Sequence, residues 1–318
     1  MRNSSLLAAL LLAGGAALAQ AGGSVGNGLA ANNGTAAAAR TTSAAPGGFV
    51  GPERGTLVIV GGGKLGPEIW NRFIEAAGGV NAHIVVIPTA GDDSAIARGR
   101  SSEKEALEAL GVKDVTILHT RDPKVANTDA FVAPLKKATG VWFNGGRQWK
   151  IADAYLHTKS HEAFKDVLAR GGVIGGTSAG ATIQGAFLFR GDTKGNTILV
   201  GDHLEGLDFI HNVAIDQHVL RRNRQFDLIG LIKEKPELLG IGIDESTAIV
   251  VQQNTFEVIG ASYVAIYDAA RFGKQAPATA ANSNTGTVSG DFFFLGKGQK
   301  YDLLGRQVID RPRGSEGQ

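Results

Sequence analysis

Short apolar runs alternate with amphipathic stretches through most of this chain. Residues 56–60 (Thr-Leu-Val-Ile-Val), 83–87 (His-Ile-Val-Val-Ile) and 115–118 are apolar runs of strand length, the first stopped by Gly61-Gly62-Gly63 and the second by Pro88. Between them, Ile69, Phe73 and Ile74 share one face of a helix predicted over 67–77, with Pro67 suited to its first turn. Further helices are predicted over 102–110 and over 128–139, the latter kinked or delayed by Pro134. A strand at 141–143, helices at 149–156 and 160–170, and a strand ending in Val173-Ile174 follow. Beyond residue 181 the pattern predicts strands at 197–200, 213–215, 240–243, 248–251, 257–260, 264–267 and 292–295, one helix over 222–233, and a polar loop at 275–290. Repeated β-α-β units of this kind argue for an α/β fold, a mostly parallel sheet flanked by helices on both faces.

The ends of the chain read differently. Met1-Arg2, the apolar run 6–12 and the small-residue stretch ending Ala17-Leu18-Ala19 form a basic, then apolar, then A-x-A pattern, which predicts a signal peptide at 1–19 cleaved after Ala19 or Ala21. Residues 20–52 are rich in Gly, Ala, Asn, Ser and Thr without periodicity and read as a disordered linker. One catalytic domain is expected over 53–311, its first strand starting near Thr56, with a tail at 312–318. No later run approaches the roughly 20 apolar residues needed to span a bilayer. The expectation is therefore a secreted or periplasmic protein with no membrane association after signal cleavage.

Composition narrows the chemistry. With 43% hydrophobic and 19% charged residues, the chain can bury a sizeable core. A formal net charge of +2, and no basic run interleaved with aromatics, leave nucleic acid without support as a partner. The absence of cysteine excludes disulfides, a thiol nucleophile and thiolate metal sites.

The candidate nucleophile lies in Gly176-Thr177-Ser178-Ala179-Gly180, a G-x-S-x-G turn between an apolar strand and a helix start. Such a turn strains the serine backbone and stands its hydroxyl beside backbone N–H groups that can stabilise an oxyanion. Of the seven histidines, His218 differs in following an apolar strand, 213–215, through Asp216-Gln217. Glu245 likewise emerges from 240–243, and Asn144-Gly145-Gly146-Arg147-Gln148 forms a third strand-end loop. Singly, each is an ordinary loop residue; together they mark the C-terminal edge of a parallel sheet, where sites form. Gly61-Gly62-Gly63 is not followed, about 20 residues on at a strand end, by the acidic residue that a dinucleotide binder needs.

Phe143-Asn144-Gly145-Gly146-Arg147-Gln148, Gly176–Ala181, Asp216-Gln217-His218 and Gly242-Ile243-Asp244-Glu245-Ser246-Thr247 resemble the four signature blocks of the cyanophycinase family, within the S51 serine peptidases that also include peptidase E. Lys300-Tyr301-Asp302-Leu303 is similar to the family's closing strand. The resemblance implies a class I glutamine amidotransferase-like fold, a flavodoxin-like sandwich, with serine in place of the cysteine nucleophile. It implies Ser178 as nucleophile, His218 as general base and Glu245 as its acid partner, with backbone N–H groups of Gly146 and Ala179 as the oxyanion hole. It assigns Gln148, Asp216, Gln217, Arg222 and Arg224 to the substrate pocket, and requires no metal or cofactor. The implied partner is a peptide substrate; a homodimer is left open.

Cyanophycin is a poly-aspartate chain bearing arginine on each side-chain carboxyl, and the resemblance implies release of β-Asp-Arg dipeptides. Two positions depart from the family pattern: Arg147 stands where Asp is usual, and Asp227 falls where the family has another arginine. Inward-pointing Arg147 would repel a guanidinium. The alternatives are a related β-aspartyl or acidic peptide as substrate, an α-aspartyl dipeptidase of the peptidase E kind, or a binding protein that keeps only the fold.

Overall fold

The computed structural model describes residues 48–97, 101–274 and 290–309. The expected leader, most of the linker, the tail and nearly all of the 275–290 loop lie outside them. In chain order the strands are β1 (Thr56–Val60), β2 (His83–Ile87), β3 (Asp114–Ile117), β4 (Gly140–Phe143), β5 (Val173–Thr177), β6 (Gly185–Phe187) and β7 (Ile210–Gln217). They continue as β8 (Leu239–Ile243), β9 (Thr247–Gln252), β10 (Thr255–Gly260), β11 (Val264–Asp268), β12 (Phe293–Leu295), β13 (Lys300–Asp302) and β14 (Gln307–Ile309).

These strands form two mixed sheets. The nine-stranded sheet runs β14-β13-β10-β9-β1-β5-β4-β2-β3, and the five-stranded sheet runs β12-β11-β8-β7-β6. In the first, β1, β5, β4, β2 and β3 are mutually parallel, while β9 and its outer neighbours run antiparallel. In the second, β6, β7 and β8 are parallel, and β11 and β12 antiparallel. The parallel strands at the centre are apolar on both faces because helices cover both. β1, β4 and β5 are buried throughout. On one face Trp142 of β4 packs against Trp70 and Phe73 of helix Pro67–Ala76. On the other, Phe143 packs edge-on against Phe164 of helix Lys159–Ala169. The fold is α/β, its parallel strands flanked by helices on both faces.

Several predicted elements change. Residues 128–139 do not form one helix: Asp129–Val132 is α-helical and Ala133–Lys136 is a 3-10 turn, because Pro134 lacks the N–H that would continue the ladder. A helical turn at Pro123–Ala126, capped by Asp122, precedes them. The helix expected over 222–233 starts later, at Asp227–Glu234. The strand expected at 197–200 is absent. That segment is instead held by single contacts, Arg190 N–H donating to the Leu199 carbonyl (2.8 Å) and Arg190 Nη1 to the Asn196 carbonyl (2.9 Å).

Residues ahead of the expected boundary at 53 already pair with the fold. Gly51 N–H donates to the Gln253 carbonyl (2.9 Å), Val50 N–H to Asn254 Oδ1 (2.7 Å), and Val50 packs on the core. Backbone pairing to the β9–β10 turn therefore orders the end of the stretch read as linker. Composition carries no sign of it.

Candidate active site

The two sheets meet at the C-terminal ends of β1, β5, β7 and β8, and the loop after β1 joins them. Ser178 follows β5 in the nine-stranded sheet; His218 follows β7 and Glu245 follows β8 in the other. Ser178 N–H donates to the Val60 carbonyl (3.0 Å), His218 N–H to Gly61 (2.8 Å) and Ser246 N–H to Gly62 (2.8 Å). Ser246 Oγ adds a bond to the Lys64 carbonyl (2.8 Å). One five-residue stretch, 60–64, thus fixes the backbone beside all three candidate catalytic residues.

Only glycine fits there. A Cβ on Gly62 (φ +112°) would lie 2.2 Å from His218 Cε1, and one on Gly63 (φ +73°) 2.8 Å from Glu245 Cβ. The glycine triplet that a sequence reading weighs as a dinucleotide loop is a steric template for the histidine and the glutamate. Three glycines in succession at a strand end are the signal that could have revealed it.

The serine turn is equally tight. Ser178 has φ +56° and ψ −111°, outside the regions open to an L-residue without strain. A Cβ on Gly176 would lie 2.2 Å from the Gly180 carbonyl oxygen, and one on Gly180 2.1 Å from that of Phe143. The helix that follows is only Ala179–Thr182.

The side chains form a relay. Ser178 Oγ lies 2.8 Å from His218 Nε2, and His218 Nδ1 lies 2.6 Å from Glu245 Oε1. A carboxylate on Nδ1 keeps the proton there and leaves Nε2 as the acceptor of the serine hydrogen. His218 is buried and also has positive φ (56°). Burial lowers its pKa below the ordinary imidazole value; Glu245 opposes this, and the charges of Arg222 and Arg224 reinforce it. Asp244 braces the same turn. Its Oδ1 accepts from the N–H of Leu220 (3.0 Å) and Arg221 (2.8 Å), and its Oδ2 from Ser262 Oγ (2.7 Å). The sequence reading gave Asp244 no part.

Gly145 lies over the nucleophile: a Cβ there would sit 3.4 Å from Ser178 Cβ and 3.9 Å from its Oγ. Gly146 (φ +140°) is pressed on the Ala90 carbonyl, where a Cβ would meet the oxygen at 2.1 Å. Ala179 is wholly buried.

The residues expected in the substrate pocket divide. Gln148 is 1% exposed and donates to the Phe189 and Arg190 carbonyls, both at 2.9 Å. Asp216, also 1% exposed, takes a two-pronged bond from Arg190, with Nε at 2.8 Å and Nη2 at 3.0 Å. Both lie enclosed beside the site, Gln148 through its Nε2 and Asp216 through its carboxylate tied to the 189–190 segment. Arg224 is buried too, with Nη1 donating to the carbonyl and side-chain oxygens of Gln217 (3.2 and 3.3 Å). Gln217 is itself 4% exposed, so the pair supports the His218 turn from within. Arg222 is exposed and forms no ion pair among the described residues.

Arg190 is the residue that sequence reasoning missed. Besides Asp216, its guanidinium binds Asp227, one of the two departures from the family pattern. Burial opposes charge on Arg190, yet the two carboxylates hold its pKa above the usual range. Arg147, the other departure, donates from Nη2 to the Asp192 carbonyl at 2.5 Å.

A cleft of about 340 Å³ opens beside Ser178, walled by the 88–92 loop, the start of helix Ser102–Ala109, Asn144 and Gly145. Arg121 holds the outer wall, donating to the Thr89 and Gly91 carbonyls and to Asp93.

Peptidase family S51 matches residues 57–259 of this chain, which takes in Ser178, His218, Glu245 and the residues lining the cleft. The chain belongs to that family. Among its relatives, a cyanophycinase of Geminocystis herdmanii is 34% identical over 223 residues, 68% of this chain and 81% of the relative. A cyanophycinase of a Nostoc species is 32% identical over 264 residues, 80% of this chain and 87% of the relative. A crystal structure of a peptidase from an acI-B1 actinobacterium superposes with a TM-score of 0.57 at 24% identity, over 79% of this chain and 98% of its own, a likeness of fold. For an S51 peptidase, a serine bonded to a histidine that is in turn bonded to a carboxylate is the arrangement that peptide hydrolysis requires.

Proposed function

We propose that this chain is a serine exopeptidase that hydrolyses cyanophycin, releasing β-Asp-Arg dipeptides, with Ser178, His218 and Glu245 as its catalytic residues. The observation that carries the reading is the continuous relay from Ser178 Oγ to His218 Nε2 (2.8 Å) and from His218 Nδ1 to Glu245 Oε1 (2.6 Å). The cyanophycinase relatives support the substrate.

In the first half-reaction Ser178 Oγ attacks the scissile carbonyl carbon as its proton passes to His218 Nε2. The C–N bond then breaks, and the departing amine takes that proton from His218. Water next attacks the Ser178 ester, giving its proton to His218, which returns one to Ser178 Oγ as the carboxylate leaves. Glu245 stabilises the imidazolium formed in each half and holds its tautomer. Backbone N–H groups of Ala179 and of the Gly145-Gly146 loop are the candidates for binding the oxyanion. Arg222, exposed beside His218, is the candidate for a substrate carboxylate, since a guanidinium clamps one with two parallel bonds.

The basic, apolar and A-x-A pattern at 1–19 supports export, to the periplasm or the medium. Among the described residues no helix is long and apolar enough to cross a membrane.

The test is to incubate the protein with cyanophycin, and with β-aspartyl and α-aspartyl dipeptides, and to identify products by mass. Release of β-Asp-Arg supports the reading. Cleavage confined to α-aspartyl dipeptides would overturn the substrate while sparing the mechanism. No reaction of Ser178 with a fluorophosphonate, together with no turnover, would favour a binding protein that keeps the fold alone.

A further inference from the structure

We propose that Glu103 recognises the cationic side chain of the substrate, so that the cleft beside Ser178 is a guanidinium subsite. This rests on the cyanophycin reading and assigns one part of that substrate to one wall of the site.

Among the described residues, the charged ones lining the cleft are acidic, Asp92 and Glu103, and no lysine or arginine lines it. Asp92 stands at the rim with its side chain 90% exposed, 3.7 Å from Lys150 Nζ. Glu103 is half-buried and held from one side. Its Oε2 accepts from Ser101 Oγ (2.9 Å), from Ser102 Oγ (2.9 Å) and from Asn144 Nδ2. Three donors on one oxygen fix the carboxylate in place and leave Oε1 outside that network. Among the described residues no basic side chain pairs with it. An anion so positioned beside a nucleophile selects a positively charged group.

A second observation is independent of the charge. Asn144 Oδ1 and Thr177 Oγ1 are buried atoms without a hydrogen-bond partner among the described residues. Asn144 is 9% exposed and Thr177 8%, and both line the same cleft. Asn144 cannot be turned over to satisfy Oδ1, because its Nδ2 is the donor to Glu103. Buried acceptors left unpaired are costly, and a ligand rich in N–H donors answers them. Guanidinium offers five N–H groups in one plane, so it can bond Glu103 Oε1 and keep donors for other acceptors of this wall; an ammonium offers three. Arg147, whose charge could have repelled such a group, is not part of the lining and is bonded to the Asp192 carbonyl.

The experiment compares two β-aspartyl polymers, one carrying arginine and one carrying citrulline, which is isosteric and neutral. Wild-type enzyme should prefer the arginine polymer in kcat/KM by at least about tenfold, the scale of a charge-assisted hydrogen bond. Glu103→Gln should bring the two substrates to within about threefold, through KM on the arginine polymer, and Glu103→Asp should keep part of the preference. Should Glu103→Gln fail to fold, wild-type enzyme alone decides: β-Asp-Arg should inhibit at least about tenfold more tightly than β-Asp-citrulline, and high salt should narrow the gap. Equal inhibition, or an unchanged arginine preference in folded Glu103→Gln, overturns the proposal. No turnover of the arginine polymer by wild type would instead overturn the cyanophycin reading on which it rests.

Discussion

Gly62 and His218 are fitted to each other: a Cβ on Gly62 would lie 2.2 Å from His218 Cε1, 2.7 Å from Nδ1 and 2.7 Å from Nε2. The imidazole occupies the space that any side chain at 62 would need. Gly62→Ala should therefore displace the ring from Ser178 and lower kcat/KM by about 100-fold or more, the usual cost of misplacing a catalytic group by an ångström. Gly66, six residues from β1, has open space around it and negative φ (−76°), so Gly66→Ala serves as the matched control with activity within about twofold. Circular dichroism should show both variants folded. Normal kinetics in Gly62→Ala would remove the template role of the β1 loop.

The strain at Ser178 separates chemistry from stability. Ser178→Ala and Ser178→Gly both delete the hydroxyl bonded to His218 and should both lose several orders of magnitude in kcat. They should differ in stability. Alanine must still adopt φ +56°, whereas glycine adopts it without a Cβ clash, at the cost of a floppier unfolded chain. Ser178→Gly should be the more stable by about 1 kcal/mol in denaturant unfolding. A less stable glycine variant would mean that the turn is not strained.

The pH profile follows from the surroundings of His218. Burial, then the charges of Arg222 and Arg224, disfavour its protonated form against the pull of Glu245. A lowered pKa keeps the base neutral to a lower pH, so kcat/KM should fall on the acid side only below about pH 6.5. Arg222→Gln removes one of the lowering charges and should move this limb upward. Glu245→Gln removes the raising partner and should move it downward, while cutting kcat by up to about 10⁴. A limb that stays fixed in both variants would assign it to another group.

Much of this site was legible because it is written in contiguous blocks. Ser178, His218 and Glu245 each follow an apolar strand within one or two residues of its end, and the strands are readable without coordinates. What escaped reading is whatever depends on pairing between distant strands. That β7 and β8 belong to a second sheet, meeting the first at the loop 60–64, has no local signature. Arg190 sits in no block, and its partners Asp216 and Asp227 are 26 and 37 residues away in sequence. Exposure was the other blind spot. Gln148 and Asp216 have the residue types of a binding pocket but are enclosed, while Ser101-Ser102-Glu103 reads as a helix start and lines the same cleft as the nucleophile. The break within 128–139 has a local cause legible in the sequence, Pro134, which ends the α-helix at Val132.

Arg190 gives the sharpest test of that hidden framework. Its side chain is 3% exposed, that of Asp216 1%, and that of Asp227 32%. Removing the guanidinium leaves Asp216 enclosed with Arg224 Nη1 at 3.9 Å as its remaining cation, too far for a hydrogen bond. Arg190→Met keeps the volume and deletes the charge, and should destabilise the fold by about 3–5 kcal/mol, the cost of stranding one member of a buried pair. Asp216→Asn in the same chain removes the stranded charge and should restore most of that loss, because the penalty lies in the unpaired anion and not in the missing bond. Activity should not return in step. Gln217 and His218 follow Asp216 directly, and Gln148 is anchored on the Arg190 carbonyl, so the double variant should remain impaired in kcat even when folded. Urea unfolding of the two single variants and the double variant measures the coupling. If Arg190→Met loses less than about 1 kcal/mol, Asp216 is not the buried anion that the ion pair implies, and the framework assigned to Arg190 fails.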